Sequence, residues 1–218
     1  MAFMAVVQMV VPAFAGIAFA LCASAFADSV WEADRVWPHH LPGVVQVALM
    51  LIVADFLRYW LHRATHNSPT LWRLHAIHHS PDRLYWLNVG RFHPLEEVLQ
   101  SLVETLPFVI LGVDPRVLAG YYVFYAVNGF FQHSNCDVRL GPLNWLIAGP
   151  ELHRWHHAAD LGDANHNFGN KLIIWDTLFG TRYLPADREV GELGNGEPSY
   201  PRTFAGQVAA PFRRAVAS

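Results

Sequence analysis

Three histidine clusters at helical spacing are the feature that most constrains how this chain can fold. Residues three and four apart project from one face of an α-helix, about one turn apart. Each cluster therefore points two or three imidazole rings at one region of space. Imidazole is a common ligand of iron, zinc and copper, and a tetrahedral zinc ion needs only about four ligands. The pattern predicts two metal ions, bound between several helices by His62, His66, His75, His78, His79, His153, His156 and His157.

A structural role is the alternative for any single cluster, because a lone histidine on a helix is more often a surface or core residue than a ligand. That alternative does not account for three clusters together. So many packed imidazoles would leave their ring nitrogens competing for partners unless metal ions occupied the space between them.

The composition places this site in a membrane protein. Hydrophobic residues make up 53% of the 218 residues and charged residues 15%, whereas soluble domains carry about 25% charge. A Gly-Val-Asp-Pro turn signal joins the last two of four apolar runs. We expect an all-α integral membrane protein with about four transmembrane helices, arranged as two helical hairpins, at 2–27, 43–60, 98–113 and 117–131.

The first apolar run has a second interpretation. Residues 23–27, Ala-Ser-Ala-Phe-Ala, resemble a signal-peptidase site that follows an apolar stretch. However, no Lys or Arg precedes the run, and the run is longer than an ordinary signal core. We therefore expect this run to be a retained membrane span.

The arginine distribution predicts the orientation of the spans. The segment 28–41 carries three acidic residues against one arginine, whereas 58–91 carries five arginines against one aspartate. Because positive residues concentrate in cytoplasmic loops, the second segment is predicted to be cytoplasmic. An even number of spans then places all three histidine clusters on the cytoplasmic face. It leaves His39 and His40 on the opposite side, so we exclude them from the site.

The remaining composition excludes several functions. The net charge is −3 and no block of basic residues suggests nucleic-acid binding. Cys22 and Cys136 lie far apart in the sequence, so no disulfide framework is implied. We expect one membrane domain over 1–183 and a peripheral C-terminal tail over 184–218, because the tail is rich in Gly, Pro and charge.

The histidine clusters and the segments around them resemble the fatty acid hydroxylase/sterol desaturase superfamily. The resemblance covers about residues 55–185, and its motifs are highly specific for the superfamily but not for any one substrate. They are DFLRYWLHR at 55–63, HRATH at 62–66, HAIHH at 75–79, RFHPLEE at 91–97, FQHSN at 131–135, HRWHH at 153–157, NHNFG at 165–169 and WDTLFGT at 175–181.

This resemblance implies a four-helix membrane base with a cytosolic helical cap that holds a histidine-rich dinuclear metal site. It implies two iron ions, with zinc as an alternative occupant in a purified sample. The implied enzyme is a non-haem di-iron oxygenase that uses O2 and two external electrons to hydroxylate or desaturate an unactivated C–H bond. The implied substrate is a lipid from the bilayer, of the fatty acyl, sphingolipid or sterol-like class.

The implied electrons must come from a separate protein, because the sequence contains no haem-binding or iron–sulfur motif. We expect a ferredoxin or cytochrome-type donor, with its reductase, that docks on the cytoplasmic face. The protein would lie in the plasma or inner membrane of a bacterium, or in the endoplasmic reticulum of a eukaryote.

Two further histidines are candidates for the same site. His133 lies at the cytosolic end of the fourth apolar run, where a helix tip would meet the cap, and we expect it to be a ninth ligand. His93 lies at the start of the third run, and the choice between a ligand and a residue that orients a ligand stays open. We expect His166 not to be a ligand.

Three polar residues are candidates for orienting the ligands: Asp55, Asn135 and Asn167. Asp55 precedes His62 by seven residues, so both share one helix face; it would accept a hydrogen bond from an imidazole or pair with Arg58. Asn135 would hold a metal-bound water or cap a helix. The weaker candidates of this kind are Asp137, Asp163 and Asp176.

Two function classes follow. The first is the lipid oxygenase: a hydroxylase, desaturase or oxidative demethylase. The second is a zinc-binding membrane protein of the same fold with a hydrolytic or structural role, because zinc also accepts imidazole ligands. A transporter is disfavoured, because the clusters follow the apolar runs instead of lying near the bilayer midplane.

Overall fold

The structure is a computed structural model, and it describes residues 36–213. The first apolar run, predicted to be a membrane span, lies outside the described residues. Between residues 36 and 213 the chain is helical, and its only β-type pairings are two single-residue bridges, Ile147 with Leu172 and Ala158 with Leu193. The predicted helical class is therefore confirmed for this part of the chain.

Helices α1 (Gly43–Asn67) and α2 (Pro69–His79) are separated by a single residue, Ser68. A residue before proline is displaced from helical geometry, and Ser68 has φ −110° and ψ 118°. Its hydroxyl accepts a hydrogen bond from the Leu71 amide at 3.4 Å and so caps α2. Because α2 folds back at this point, the last turns of the two helices bring the first and second histidine clusters together.

The third apolar run forms two helices instead of one. Helix α3 (Pro94–Glu104) ends before Thr105, and α4 (Leu106–Ile110) begins next to Pro107. Proline is tolerated only in the first turn of a helix, because it lacks the N–H that an interior turn needs. Gly112, with φ 73°, then reverses the chain into α5 (Pro115–Gln132).

Helices α1, α4 and α5 enclose an apolar core, in which Met50, Phe108 and Tyr121 are almost fully buried. Within residues 36–213, α1 is the one helix that is long and apolar enough to cross a membrane. The four-span arrangement stays a prediction. Large apolar side chains nevertheless cover the outer surface of α1, α3 and α5: Val44, Val45, Ile52, Val53, Trp60, Leu95, Val98, Leu102, Tyr122, Val123, Val127 and Phe130.

The third histidine cluster lies on a short helix, α6 (Pro150–His156). A single helical turn, α7 (Leu161–Ala164), follows it, and a loop at 165–173 then leads to α8 (Ile174–Phe179). This loop passes beside α1. Shorter 3₁₀ turns occur at Trp86–Gly90, Gly141–Trp145 and Ala210–Phe212.

The C-terminal segment returns to the histidine clusters. It contains α9 (Phe204–Ala209) and packs Tyr200 and Phe204 against Ile77 of α2 and the neighbouring Phe92. We predicted a peripheral tail from its composition. In the structure, Tyr200 and Phe204 of this segment pack near the helix that carries the second histidine cluster, and the Arg213 carbonyl accepts a hydrogen bond from Arg73 of that helix.

Candidate metal centre

Nine buried or half-buried histidines form two adjacent groups. In each group, one ring nitrogen from every member lies within 4.8 Å of those of all the other members. The structure thus brings together all eight residues of the three sequence clusters and adds His133. The first group comprises His62, His66, His75, His79 and His156, and the second group comprises His78, His133, His153 and His157.

The ring nitrogens of the first group are arranged to surround a cation. Nδ1 of His62 lies 2.8 Å from the Phe168 carbonyl oxygen, and Nδ1 of His75 lies 2.6 Å from a Glu96 carboxylate oxygen. In the neutral rings that metal ligation requires, both Nδ1 atoms therefore carry the proton, which leaves a lone pair on each Nε2. These two Nε2 atoms lie 3.1 Å apart. Two lone pairs cannot hydrogen-bond to each other. A positive ion between the two Nε2 atoms would stabilise them.

The second group shows the same arrangement around His133. Its Nδ1 donates a hydrogen bond to the Gly129 carbonyl at 2.8 Å, so its Nε2 holds the lone pair. This Nε2 lies 2.9 Å from Nε2 of His153 and 3.4 Å from Nε2 of His78. One lone pair can accept only one hydrogen bond, and the convergence of three ring nitrogens again fits a metal ion.

Burial keeps the rings neutral, as metal ligation requires. It lowers the pKa of His133 to about 4 and that of His156 to about 3, because the charged imidazolium would lose its hydration. Burial, and next the neighbouring rings, hold the pKa of His153 and that of His157 well below the usual range. At neutral pH these four rings are therefore uncharged donors.

The donor set consists of nitrogen atoms alone. Imidazole suits iron, zinc and copper, whereas magnesium and calcium prefer oxygen ligands. Several buried ring nitrogens also have no hydrogen-bond partner among the described residues, including Nε2 of His66 and Nε2 of His156. A buried polar atom without a partner is costly, and a bound ion would remove that cost.

Glu96 is a site residue that the sequence analysis did not identify. It lies on the first turn of α3, is almost fully buried, and accepts the Nδ1–H of His75. Its position three residues after His93 in the RFHPLEE motif was the available signal. No spacing rule connects it to His75, which belongs to another helix.

The NHNFG and WDTLFGT motifs hold the loop that orients His62. The Asp176 carboxylate accepts hydrogen bonds from the amides of Phe168 at 2.7 Å and Gly169 at 2.6 Å, and from the Thr181 hydroxyl at 2.7 Å. A Cβ on Gly169 would lie 2.1 Å from the Leu172 carbonyl oxygen, so only glycine fits there. The Phe168 carbonyl is thereby fixed against the imidazole of His62.

Asp55 has a different role from the two that we considered. Its carboxylate accepts hydrogen bonds from the backbone amides of Lys171 at 2.8 Å and Leu172 at 3.1 Å. It therefore ties the loop at 165–173 to α1 through two backbone amides of the loop. Arg58, the partner that we considered for Asp55, instead lies 3.9 Å from Glu104.

The two asparagine candidates also contact backbone or surface groups. Asn167 donates to the carbonyls of Leu152 at 2.9 Å and Tyr183 at 2.7 Å, which clamps the chain next to the third cluster. Asn135 is exposed and accepts a hydrogen bond from Arg154 at 3.4 Å.

Four histidines lie outside both groups: the exposed His39 and His40, and also His93 and His166. Nδ1 of His93 accepts a hydrogen bond from the Leu95 amide at 3.1 Å, so this side chain caps α3, and its Nε2 donates to the Val208 carbonyl at 3.1 Å. Both ring nitrogens are thus occupied. His166 stacks on Tyr183, with 4.5 Å between the ring centroids, and its carbonyl accepts the Nδ1–H of His156 at 2.8 Å.

A small cavity of about 10 Å³ adjoins the second group. Its volume corresponds to room for about one water molecule. The wall includes two rings of the second group and the buried side chain of Lys171, together with the apolar surface of Phe92 and the backbone of Gly129. The second group therefore has open space on one side.

Comparison with known proteins gives a consistent set of relatives. A family model described as fatty acid hydroxylase matches residues 47–181. The chain is 37% identical to the ornithine lipid hydroxylase OlsE of Rhizobium tropici, over 83% of this chain and 54% of that protein. It is 30% identical to the alkylglycerol monooxygenase of Danio rerio, over 76% of this chain and 34% of that protein.

A third relative is methylsterol monooxygenase 1 of Danio rerio, which is 26% identical over 69% of this chain and 50% of that protein. The chain thus spans between about a third and about half of the length of these three relatives. No solved structure shows a significant match to the chain.

Proposed function

The chain belongs to the fatty acid hydroxylase family, and we propose that it is a membrane-bound non-haem di-iron oxygenase that hydroxylates a lipid. Such a reaction places one oxygen atom of O2 in a C–H bond and reduces the other to water, so it consumes two electrons and two protons. Two bound iron ions would supply the redox chemistry that reduces O2. The electrons would come from a ferredoxin or cytochrome-type donor on the cytoplasmic face.

One observation carries the proposal. In the first group, two Nε2 atoms that both hold lone pairs lie 3.1 Å apart, in a pocket of five imidazoles. A second group of four imidazoles lies beside it. Two adjacent all-nitrogen sites match the two metal ions that an oxygenase of this family would use. The nine histidines would hold the ions, and the hydrogen bonds on Nδ1 would orient several of the rings.

Several features support a lipid substrate. The outer faces of α1, α3 and α5 carry exposed apolar side chains, and α1 is long enough to span a bilayer. The first and second histidine clusters lie at the ends of α1 and α2, next to these apolar faces. A substrate from the bilayer would therefore approach the site from the side of the helices, and burial of the rings would exclude bulk water.

Hydroxylation is the better supported reaction within the oxygenase class. Relatives with at least 30% identity are named an ornithine lipid hydroxylase and an alkylglycerol monooxygenase, and the named functions of both include insertion of oxygen. We therefore propose a polar membrane lipid as the substrate and a lipid alcohol as the product.

The test compares the lipids of cells that express the wild-type protein or the His153→Ala variant. We expect a lipid that gains one oxygen atom only in wild-type cells grown in air, and a heavier product when the gas is ¹⁸O2. His40→Ala is the control, because His40 is exposed and lies outside both groups. Equal product without O2 would refute the oxygenase and favour a hydrolytic zinc protein.

A further inference from the structure

The two histidine groups differ in the hydrogen-bond partners of the ring nitrogens that point away from the metal site, here called the outer nitrogens. This difference has a functional consequence. His75 is the one member of the first group whose outer nitrogen contacts a carboxylate, at 2.6 Å from Glu96. His62 and His156 contact backbone carbonyls instead, each at 2.8 Å. Within residues 36–213, no carboxylate oxygen accepts a hydrogen bond from a ring of the second group.

Glu96 is fixed firmly against His75. The amide of Gln100, one turn further along α3, donates to the same carboxylate oxygen at 2.9 Å. Glu96 is 1% exposed and His75 is fully buried. The carboxylate therefore has little freedom to turn away from the ring.

The charge of Glu96 requires a compensating positive charge. The basic side chain that contacts it is His75, at 2.6 Å. The nearby cations Arg58 and Lys171 pair with Glu104 instead, with their nitrogens 3.9 Å and 2.8 Å from its carboxylate oxygens. A buried carboxylate is costly without a counter-charge. A metal ion on the opposite nitrogen of His75 would supply the charge through the ring.

We infer that Glu96 is a positioning residue that makes the first group the tighter of two unequal metal sites. The carboxylate fixes the tautomer of His75 and increases the basicity of its Nε2, which strengthens the bond to a cation. The first group also offers five ring donors against four in the second. This inference rests on the metal centre of the proposed function and adds an order of binding: the first group fills before the second.

The second site, by contrast, is suited to exchange. Among the described residues, Nδ1 is buried without a hydrogen-bond partner in two of its four rings, His78 and His157, against one of five, His79, in the first group. The second group is therefore held less firmly. The cavity of about 10 Å³ also adjoins His78 and His133. A weaker ion with open space beside it is the one that an incoming ligand would reach first.

The test is a Co²⁺ titration of the full-length, metal-free protein in detergent, followed by absorption spectroscopy. The wild-type protein should bind two ions in two resolved steps. Glu96→Gln keeps the shape and a hydrogen-bond acceptor but removes the charge, and it should weaken the tighter step by about 10–100-fold while leaving the weaker step unchanged. His66→Ala and His157→Ala assign the steps, because each removes one donor from the first or the second group.

Glu97→Gln is the matched control. Glu97 is the adjacent residue, and no hydrogen bond joins it to a ring of either group, so its variant should retain both steps. Gln100→Met is a second test variant that leaves every charge in place. It frees the Glu96 carboxylate and should weaken the same tighter step by a smaller factor, which keeps the inference testable if Glu96→Gln does not fold.

The outcomes separate this inference from the proposed function. Two equal steps in the wild-type protein, or an unchanged tighter step in both test variants, would overturn the role of Glu96 and leave the metal centre intact. A change confined to the weaker step would overturn it as well. Absence of Co²⁺ binding in the wild-type protein would overturn the metal centre, and with it the order of binding.

Discussion

Lys171 and Glu104 form a buried ion pair, with the ammonium nitrogen 2.8 Å from a carboxylate oxygen, although 67 residues separate them in the sequence. The Tyr121 hydroxyl donates to the same carboxylate. Arg58 lies 3.9 Å from its other oxygen, and the Lys171 ammonium lies 3.8 Å from the centre of the Tyr125 ring. This pair joins the loop at 165–173 to α1, α3 and α5, and Lys171 also lines the cavity that adjoins the second histidine group.

Removing one partner of this pair should destabilise the protein strongly. In Lys171→Met or Glu104→Gln, a buried charge or dipole loses its partner, at an expected cost of about 3–5 kcal/mol in the free energy of unfolding. The double variant should cost less than the sum of the two, because neither charge is then left alone. Chemical unfolding in detergent measures the free energy of unfolding of the two single variants and the double variant. Strictly additive effects would show that the pair is not coupled.

Gly169→Ala should disrupt the first histidine group. The new Cβ would meet the Leu172 carbonyl oxygen at 2.1 Å and the Asp176 carboxylate at 2.7 Å, so the loop must move. The Phe168 carbonyl that fixes His62 would move with it. We expect loss of one of two bound metal ions, measured by elemental analysis. Gly191→Ala is the control, because a Cβ there meets no atom within 4 Å; equal metal loss in both would contradict the prediction.

His93→Ala should retain both metal ions. Both nitrogens of His93 are occupied by backbone groups, and the side chain caps α3. Its removal should therefore lower the free energy of unfolding by about 1 kcal/mol, as for the loss of a helix cap. Elemental analysis should find both ions in His93→Ala and one ion fewer in His157→Ala. A loss of metal in His93→Ala would restore His93 as a candidate ligand.

The metal-free protein should become less stable in mild acid. Burial lowers the pKa of His133 to about 4 and that of His156 to about 3, whereas in the unfolded chain histidine has a pKa of about 6.5. Below pH 6.5 the unfolded chain thus binds more protons than the folded protein. The free energy of unfolding is therefore highest above pH 6.5 and falls as the pH decreases toward 3.

Glu97 and Asp176 act in the opposite direction, because burial raises the pKa of Glu97 to about 8 and that of Asp176 to about 6, and their contribution to stability is lost as the pH rises. These carboxyl groups should be outweighed by the more numerous buried histidines. The measurement is the thermal unfolding midpoint of metal-free protein at about pH 7.5 and about pH 5.5. We expect the lower midpoint at the acidic pH; an equal or higher midpoint there would refute the prediction.

Deletion of residues 204–218 should loosen the site. Gln207 is buried, donates to the Pro201 carbonyl at 2.8 Å and accepts a hydrogen bond from Arg91 at 3.0 Å, and the Val208 carbonyl accepts from His93. Without these contacts α2 loses part of its cover. We expect faster proteolysis near 75–93 and weaker metal retention on dialysis. A truncated protein as resistant as the full chain would show that the segment is peripheral.

The sequence by itself determined the helical class, the family and the histidine-rich donor set of the candidate metal site. Helical spacing placed His62 beside His66 and His153 beside His156, since periodicity is a local property. The Gly-Val-Asp-Pro signal likewise marked the reversal before α5, because Gly112 takes a positive φ that glycine permits.

Only the tertiary structure decided how these local patterns combine. It divided nine histidines into two groups, placed Glu96 behind His75, and paired Asp55 with backbone amides instead of Arg58. Each of these contacts joins segments on different helices or loops. Which side chains meet across such distances depends on how whole elements pack, and no spacing within one segment encodes it. The local pattern therefore gave the donors, and the packing of the helices gave their partners.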